Sequence, residues 1–142
     1  MIAVVDASVA VKWFLFFEPD EDHADLALKI LEQTVFGQIM LVQPPHFVAE
    51  VAAVLARLKP HGAPNDLIDL LMIQRQILDT PEMYATAMQL AKRYQHHLFD
   101  TLYHAVAMHT PGAVLITADK RYYDKTKQVG RITLLADWSV NP

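Results

Sequence analysis

The sequence has no cysteine, and this absence removes two classes of site at once. Disulfide bonds and metal centres built on thiolates both need cysteine side chains. A chain without cysteine suits a reducing compartment, so we expect a cytoplasmic protein. Glycine is rare as well, and none of the four glycines builds a GxGxxG or Walker loop. The sequence therefore argues against nucleotide cofactors held by such loops.

Long apolar runs are also missing. The first run, residues 2–5, ends at Asp6, and Lys12 interrupts the next one, whereas a membrane span needs about 20 apolar residues. The net charge is −4, so any binding of nucleic acid has to use a local basic patch. What the chain does have is 142 residues that are 53% hydrophobic, enough for one domain over residues 1–142 with one core.

Apolar patterning predicts strands that alternate with helices. Short runs typical of strands occupy residues 2–5, 39–42, 76–78, 113–116 and 132–135. Helical spacing, with prolines at some first turns, predicts helices over residues 20–35, 45–58, 65–75, 81–95 and 99–109. This alternation is typical of an α/β fold in which helices flank a mostly parallel sheet.

Four acidic residues occupy positions where an acid is unexpected. Asp6 ends the first strand, and Asp119 follows the strand over 113–116, with Thr117 two residues before it. Sites in parallel sheets lie beyond the carboxyl ends of the strands, so these two acids are candidates for one site. Glu50 lies at the border of the apolar stripe of its helix, and Asp100 opens an otherwise apolar helix.

Each acid also has a purely structural interpretation. Asp100 and Asp119 fit helix N-caps, where a carboxylate accepts hydrogen bonds from exposed amides. Glu50 fits an edge residue that reaches water. Asp6 is the hardest to explain in this way, because it ends a buried strand and its neighbours Ala7 and Ser8 are too small to shield it.

If the four acids converge, their repulsion decides what they need. Two carboxylates about 5 Å apart repel by roughly 3 kcal/mol at an effective dielectric constant of about 20. Four of them together need a cation, and a site that offers only oxygen ligands fits Mg²⁺ or Mn²⁺. One or two such ions activate water and stabilise charge on a phosphodiester, which predicts metal-dependent hydrolysis.

Four segments carry a resemblance to a known family. They are VVDASVAVKWF, FVAEVAAVL, FDTLYHAVAMH and LITADKRYY, and each contains one of the four acids. In this order, and over nearly the whole chain, they resemble the conserved blocks of the PIN-domain ribonucleases, especially the VapC toxins of bacterial toxin–antitoxin pairs.

The resemblance implies a catalytic and metal-binding site made of four acids, Asp6, Glu50, Asp100 and Asp119. The hydroxyls of Ser8 and Thr117 match positions that support such a site. The resemblance also implies a PIN-like α/β domain, a homodimer, an RNA substrate and inhibition by a cognate antitoxin protein. The predicted function is that of an Mg²⁺- or Mn²⁺-dependent endoribonuclease, the toxin of a type II module, which hydrolyses RNA phosphodiesters with a metal-activated water. Glu50 or Asp100 is the candidate general base.

Two residues depart from the family pattern, and several others carry less specific predictions. Thr101 and His104 follow Asp100 where smaller or apolar residues are usual, so we expect an altered floor of the groove. The aromatic segment over residues 13–17 fits the core best, with a dimer contact or an antitoxin groove as alternatives. His96 and His97 are interpreted as surface residues or as charge at the C-terminal end of a helix.

Basic residues cluster after the last acid: Lys120, Arg121, Lys125, Lys127 and Arg131. They either follow an RNA backbone or form a solvated helix face, and Lys120 and Arg121 are the candidates for substrate binding. Tyr122 and Tyr123 offer rings for stacking on unpaired bases, while a place in the core suits at least one of them.

Two other functions stay open. A metal-dependent phosphatase with Asp6 as nucleophile usually has a second aspartate two residues on, where Ser8 stands here. A non-catalytic binding or regulatory module of the same fold needs no convergence of the four carboxylates.

Overall fold

A computed structural model describes residues 1–139 of the chain. Within these residues, five strands form one sheet: β1 (Ile2–Val5), β2 (Met40–Gln43), β3 (Gln76–Ile77), β4 (Ala113–Thr117) and β5 (Ile132–Leu134). The strand order is β3-β2-β1-β4-β5, and every neighbouring pair is parallel. The predicted α/β fold with a mostly parallel sheet is confirmed.

Helices flank the sheet: α1 (Ala7–Ala10), α2 (Lys12–Leu15), α3 (Ala24–Val35), α4 (Phe47–Leu58), α5 (Ala63–Met72), α6 (Pro81–Tyr94), α7 (Leu98–Met108) and α8 (Lys120–Thr126). Helix α6 shows most clearly why a helix begins at a particular residue. Pro81 occupies its first position, where no amide hydrogen is needed, and the Thr80 hydroxyl accepts a hydrogen bond from the Met83 amide at 3.3 Å.

The predicted strands agree with the observed ones to within one residue at each end, whereas one helix is clearly shorter than predicted. The helix predicted over 20–35 begins only at Ala24, and the segment before it contacts Lys12 instead. The buried ammonium of Lys12 donates hydrogen bonds to Glu21 Oε1 at 2.8 Å and to the Asp22 carbonyl at 2.7 Å. The chain then passes through a left-handed residue, His23 (φ 58°), before the helix starts.

The core lies between the sheet and its helices. Residues 3–5 of β1 are fully buried, as are most residues in the middle of α7. Trp13 and Phe14 belong to this core, as predicted, but Phe16 and Phe17 are each 54% exposed. The core prediction for segment 13–17 is therefore right for its first half only.

The buried side chain of Gln43 bridges β1 and β2 beyond the point where their pairing stops. β1 pairs with β2 only through Ile2 and Ala3. Further along, the Val5 amide donates to Gln43 Oε1, and Gln43 Nε2 donates to the Val5 carbonyl, both at 2.8 Å. The Asp6 amide bonds to the Ile116 carbonyl on the other side at 3.0 Å. The backbone of β1 thus stays hydrogen-bonded up to the candidate site.

The predicted domain over residues 1–142 includes residues 140–142, which lie outside the described part of the chain. Among residues 1–139, no helix combines the length and the apolar character that a bilayer crossing requires.

Candidate metal centre

Two of the four acids lie at the carboxyl ends of neighbouring strands in the middle of the sheet. Asp6 follows β1 directly, and Asp119 follows β4 after one intervening residue. The chain continues from β1 to β2 on one side, while β4 lies on the other side, so the strand order reverses between β1 and β4. Parallel sheets hold their sites in the crevice at such a reversal.

Two hydroxyls hold the carboxylate of Asp6. Ser8 Oγ and Thr117 Oγ1 both donate to Asp6 Oδ2, the latter at 3.0 Å. Each hydroxyl also accepts a backbone hydrogen bond, from the Ala118 amide to Ser8 at 3.0 Å and from the Asp119 amide to Thr117 at 3.1 Å. The end of β1 and the end of β4 are therefore joined through the two side chains for which the resemblance implies a supporting role.

Helices α4 and α7 bring the other two acids to the same edge of the sheet. Glu50 and Asp100 each lie in the first turn of their helix. Single carboxylate oxygens of Asp6, Glu50 and Asp100 lie within 4.8 Å of one another, and oxygens of Asp100 and Asp119 also lie within 4.8 Å of each other. The structure thus brings the four predicted acids together, and their role in metal binding stays a prediction.

Burial and crowding change the ionisation of two of these acids. Burial raises the pKa of Asp6 to about 7, the hydrogen bonds from Ser8 and Thr117 oppose the rise, and the charges of Asp100 and Glu50 add to it. Burial and then the charge of Glu50 raise the pKa of Asp100, while the hydrogen bond from His96 opposes this. Within residues 1–139, no lysine or arginine forms an ion pair with any of the four carboxylates. The cluster therefore carries negative charge that a cation would neutralise.

His46 is a member of the site that the sequence reasoning missed. Its Nε2 donates to the Phe99 carbonyl at 2.8 Å and lies 3.1 Å from Glu50 Oε2. Despite this proximity, Glu50 Oε2 is buried and has no aligned hydrogen-bond donor. The His46 ring also packs on the ring of Tyr103, with centroids 4.9 Å apart. The spacing of His46 and Glu50 was the available signal, since residues four apart are neighbours on a helix.

The interpretation of His96 and His97 as surface residues is wrong for His96. Its side chain is 8% exposed, and its Nε2 lies 2.9 Å from Asp100 Oδ2. The cause is Gln95, whose left-handed backbone (φ 50°) ends α6 and turns the chain inward, whereas His97 is exposed. Apolar periodicity carries no signal for such a turn.

Of the two N-cap interpretations, the one for Asp119 is right and the one for Asp100 is wrong. Asp119 is the N-cap of α8, because its Oδ1 accepts a hydrogen bond from the Tyr122 amide at 3.0 Å. Asp119 is therefore both an N-cap and a member of the acidic cluster. Asp100 lies inside α7, whose N-cap position is His97, so the cap interpretation of Asp100 is wrong.

The basic residues after Asp119 do not act as one group. Lys120 pairs with Asp124 at 2.7 Å on the surface, and Arg131 donates to two backbone carbonyls, at 3.2 and 3.0 Å. Arg121 is exposed and borders a crevice of about 310 Å³ whose other lining residues are Ala91, Gln95, His96, His97 and Lys125.

Tyr122 belongs to the core and not to a stacking surface. It is 2% exposed, its hydroxyl donates to His104 Nδ1 at 2.9 Å, and His104 Nε2 donates to the Gly130 carbonyl at 2.8 Å. Burial lowers the pKa of His104, in keeping with a neutral ring. Thr101 is also fully buried and donates to the Ala87 carbonyl. Neither Thr101 nor His104 lines the cavity beside the acids, and the expectation that they alter the floor of the groove stays a prediction.

An open cavity of about 410 Å³ adjoins the carboxylates. It is lined by His46, Ala49, Glu50, His97, Phe99 and Asp100. Phe99 is 62% exposed although it immediately precedes an acid of the cluster. The acids thus border an apolar wall with an exposed aromatic ring.

Comparison with solved structures shows the same fold in three bacterial proteins. VapC20 of Mycobacterium tuberculosis, described as a sarcin–ricin loop cleaving toxin, is 17% identical at a TM-score of 0.62, with 86% of this chain and 93% of that chain covered. VapBC2 from Rickettsia felis, bound to a promoter DNA fragment, is 16% identical at a TM-score of 0.60, with 94% and 97% covered. VapBC-1 from nontypeable Haemophilus influenzae is 14% identical at a TM-score of 0.63, with 96% and 99% covered.

Comparison with sequences places the chain in a family. No curated protein matches it. A family model described as PIN domain matches residues 3–128, which include the four acids and the two supporting hydroxyls. The resemblance found in the four sequence segments is confirmed, and the chain belongs to the PIN domain family.

Proposed function

We propose that this protein is a metal-dependent endoribonuclease that cleaves single-stranded RNA. One observation carries the proposal: carboxylates from four distant segments, Asp6, Glu50, Asp100 and Asp119, meet at one edge of the sheet. Burial already raises the pKa of Asp6 to about 7 there, so the ionised cluster is costly unless a cation joins it.

The donors of the cluster suit a hard divalent cation. Asp6, Glu50 and Asp100 offer oxygens within 4.8 Å of one another, and Glu50 Oε2 is buried without an aligned donor. Mg²⁺ and Mn²⁺ prefer such oxygen ligands, and we propose one of them as the cofactor. When bound, such an ion would supply positive charge that stabilises the negative charge of the phosphodiester, and it would lower the pKa of a bound water.

The chain's own side chains orient the reacting groups. Ser8 and Thr117 hold one oxygen of Asp6 at the end of β1. The carboxylate of Glu50 or Asp100 takes a proton from the attacking water, and both stay candidates for this general base.

Recognition of RNA depends on local features, because the whole molecule carries a net charge of −4. The exposed ring of Phe99 lies at the edge of the carboxylate cavity, where a base that is not paired can stack on it. Arg121 and Lys120 are the cations that contact the backbone phosphates, and Arg121 carries no competing ion pair among those of residues 1–139. These features favour a single strand over a duplex.

We further propose that the protein is the toxin of a toxin–antitoxin pair and acts as a homodimer in the cytoplasm. The supporting observations are the four sequence segments and the likeness to VapC20 and to two VapBC proteins. Exposed apolar side chains such as Phe16 and Phe17 offer a surface for an antitoxin or a second subunit.

The test is cleavage of single-stranded RNA by purified protein from which any small partner has been removed. We expect cleavage with Mg²⁺ or Mn²⁺ and none with a chelator. Asp6→Asn and Asp119→Asn should each lower the rate roughly 100-fold or more, as loss of a group that stabilises transition-state charge does. Asp69→Asn, at an exposed acid on α5, is the matched control and should cleave normally.

Three outcomes would contradict the proposal. Unchanged cleavage in both variants would remove the acidic cluster from the mechanism. Release of phosphate from small monoesters with RNA left intact would favour the phosphatase. Failure to bind any divalent ion by calorimetry would favour the binding module.

A further inference from the structure

His96 is the one histidine that lies within ligand distance of both Asp100 and Asp119 among residues 1–139. Its side chain is 8% exposed, and its ring meets the ring of Tyr122 edge-on with centroids 4.8 Å apart. The Tyr122 hydroxyl is in turn bonded to His104, so the wall behind His96 is a buried, hydrogen-bonded pair. In this position His96 either binds the cation itself or holds an acid that binds it.

A lysine determines which ring nitrogen carries the hydrogen. Lys125 Nζ lies 3.3 Å from His96 Nδ1 and 3.3 Å from the Gln95 carbonyl. An ammonium group can only donate hydrogen bonds, so Nδ1 has to accept and the hydrogen of the neutral ring resides on Nε2. Nε2 lies 2.9 Å from Asp100 Oδ2, and it therefore donates to this carboxylate.

The same arrangement argues against His96 as a metal ligand. The ligand atoms of His96, Asp100 and Asp119 lie within 4.8 Å of one another, which by distance alone permits coordination. A neutral histidine that binds a metal through Nε2 needs its hydrogen on Nδ1 and a partner that accepts it. Lys125 has no lone pair to offer in its charged form, so it opposes this tautomer.

We infer that His96 is a positioning residue: with its tautomer set by Lys125, it holds the Asp100 carboxylate for the divalent ion without binding that ion. The inference rests on the proposed metal-dependent function. Hydrogen-bond partners of metal ligands typically affect metal affinity by about 10–100-fold, which sets the size of the expected effect.

The first experiment measures Mn²⁺ affinity by calorimetry in the full chain. His96→Leu removes the donor and should weaken binding by about 10-fold or more. His96→Gln keeps an N–H near the same place and should recover most of the loss. Lys125→Met should weaken binding by a smaller factor. His61→Leu and Lys29→Met, at exposed positions away from the cluster, are the matched controls and should bind like the unaltered protein.

The second experiment observes the imidazole directly. In metal-free protein at mildly alkaline pH, nitrogen NMR should find the hydrogen of His96 on Nε2. In the Mn²⁺ complex, pulsed EPR should find no histidine-nitrogen coupling that disappears in His96→Leu. These spectra do not depend on RNA cleavage, and Lys125→Met provides a soluble variant if His96→Leu fails to fold.

Each result has a defined consequence. Hydrogen on Nδ1, a nitrogen coupling lost in His96→Leu, equal affinities in His96→Leu and the unaltered protein, or a loss in His96→Gln as large as in His96→Leu would overturn the inference. Absence of Mn²⁺ binding in the unaltered protein would instead overturn the proposed metal site, and the inference with it.

Discussion

At the scale of the residue, burial decides how the acids of this protein behave. Asp6 is placed at the end of a buried strand, and the desolvation of its carboxylate outweighs the two hydroxyl hydrogen bonds that favour its ionised form. An acid with such a pKa is costly to ionise in a folded protein without a cation. Its position therefore links stability, pH and metal binding.

We predict that the metal-free protein loses stability as the pH rises from about 4 to about 7. The folded state holds the Asp6 proton with a pKa of about 7, whereas the ordinary value of 3.8 applies to the unfolded chain. Folding thus binds a proton in this range, and the free energy of unfolding falls as that proton is lost, by at most about 4 kcal/mol. Urea unfolding with a chelator at pH 5 and pH 8 measures about 3 kcal/mol of this loss at most, because the part between about pH 4 and pH 5 lies outside the interval.

Substitution of Asp6 measures how much this residue contributes to the pH dependence of stability. Asp6→Asn should be more stable than the unaltered protein at pH 8 and should flatten the difference between the two pH values. Asp25→Asn, at an exposed acid in the first turn of α3, should retain the difference. Equal stability of Asp6→Asn and the unaltered protein at pH 8 would contradict the assignment.

We predict that Arg121 contacts one phosphate of the RNA. In an Asp6→Asn background, which prevents cleavage, Arg121→Ala should weaken binding of single-stranded RNA. It should also reduce the slope of log affinity against log salt by about 0.7, the value for one phosphate contact on a single strand. Lys120→Ala should have a smaller effect, because Asp124 already pairs with Lys120 at 2.7 Å. A slope that Arg121→Ala leaves unchanged would be inconsistent with a phosphate contact.

At the scale of the element, the end of β1 is positioned where its pairing with β2 stops and a side chain takes over the hydrogen bonds. β1 and β2 pair over only two residues of β1, and the buried side chain of Gln43 then takes over the hydrogen bonding of Val5. A side chain that replaces strand pairing needs both a donor and an acceptor, and an amide supplies both. The end of β1 that carries Asp6 is therefore held by a side chain on one side and by β4 on the other.

We predict that Gln43→Leu destabilises the protein strongly. The substitution keeps the volume nearly constant but leaves the amide and carbonyl of Val5 buried without partners. Each unsatisfied buried group costs about 1–3 kcal/mol, so the free energy of unfolding should fall by roughly 2–6 kcal/mol. Urea denaturation measures it. Gln38→Leu, at an exposed glutamine just before β2, is the control and should change stability little. A loss no larger than that of the control would show that the bridge is dispensable.

The bounds of the elements show where sequence patterns suffice. The apolar strands are short and end at polar residues, so their limits are visible in the sequence. The start of α3 is not visible, because the residues before it form long-range contacts with Lys12 and a left-handed turn at His23 that apolar periodicity does not encode. The inward turn of His96 at Gln95 is likewise a backbone event with no signature in composition.

At the scale of the whole molecule, several large apolar side chains are exposed on the surface. Phe36, Met72 and Met88 are 73%, 78% and 62% exposed. Exposed apolar side chains mark an interaction surface where they lie together, as Phe16 and Phe17 do with ring centroids 6.0 Å apart. This pair supports the proposed dimer and the proposed partner protein.

We predict that the purified protein, without an antitoxin, is a homodimer. Light scattering coupled to size-exclusion chromatography should give twice the mass of one chain. The dimer should persist at high salt, because apolar contacts are not screened by ions as surface charge pairs are. A mass of one chain at micromolar concentration would contradict the prediction, and dissociation at high salt alone would indicate a polar interface.

The sequence by itself determined the alternation of strands and helices and the parallel sheet, and the resemblance of its four segments predicted the four acids with Ser8 and Thr117. These features are local, since each depends on apolar periodicity or on a short segment around a single acid. Only the tertiary structure decided that Tyr122 and His104 belong to the core. It also decided that Arg131 donates to backbone carbonyls and that His46 and His96 contact the acids. The contacts of Tyr122, His104 and Arg131 join residues 18 to 26 apart in the chain, and those of His46 and His96 join residues only four apart. In both cases burial and hydrogen-bond geometry set the contact, and these exist only once the chain has folded.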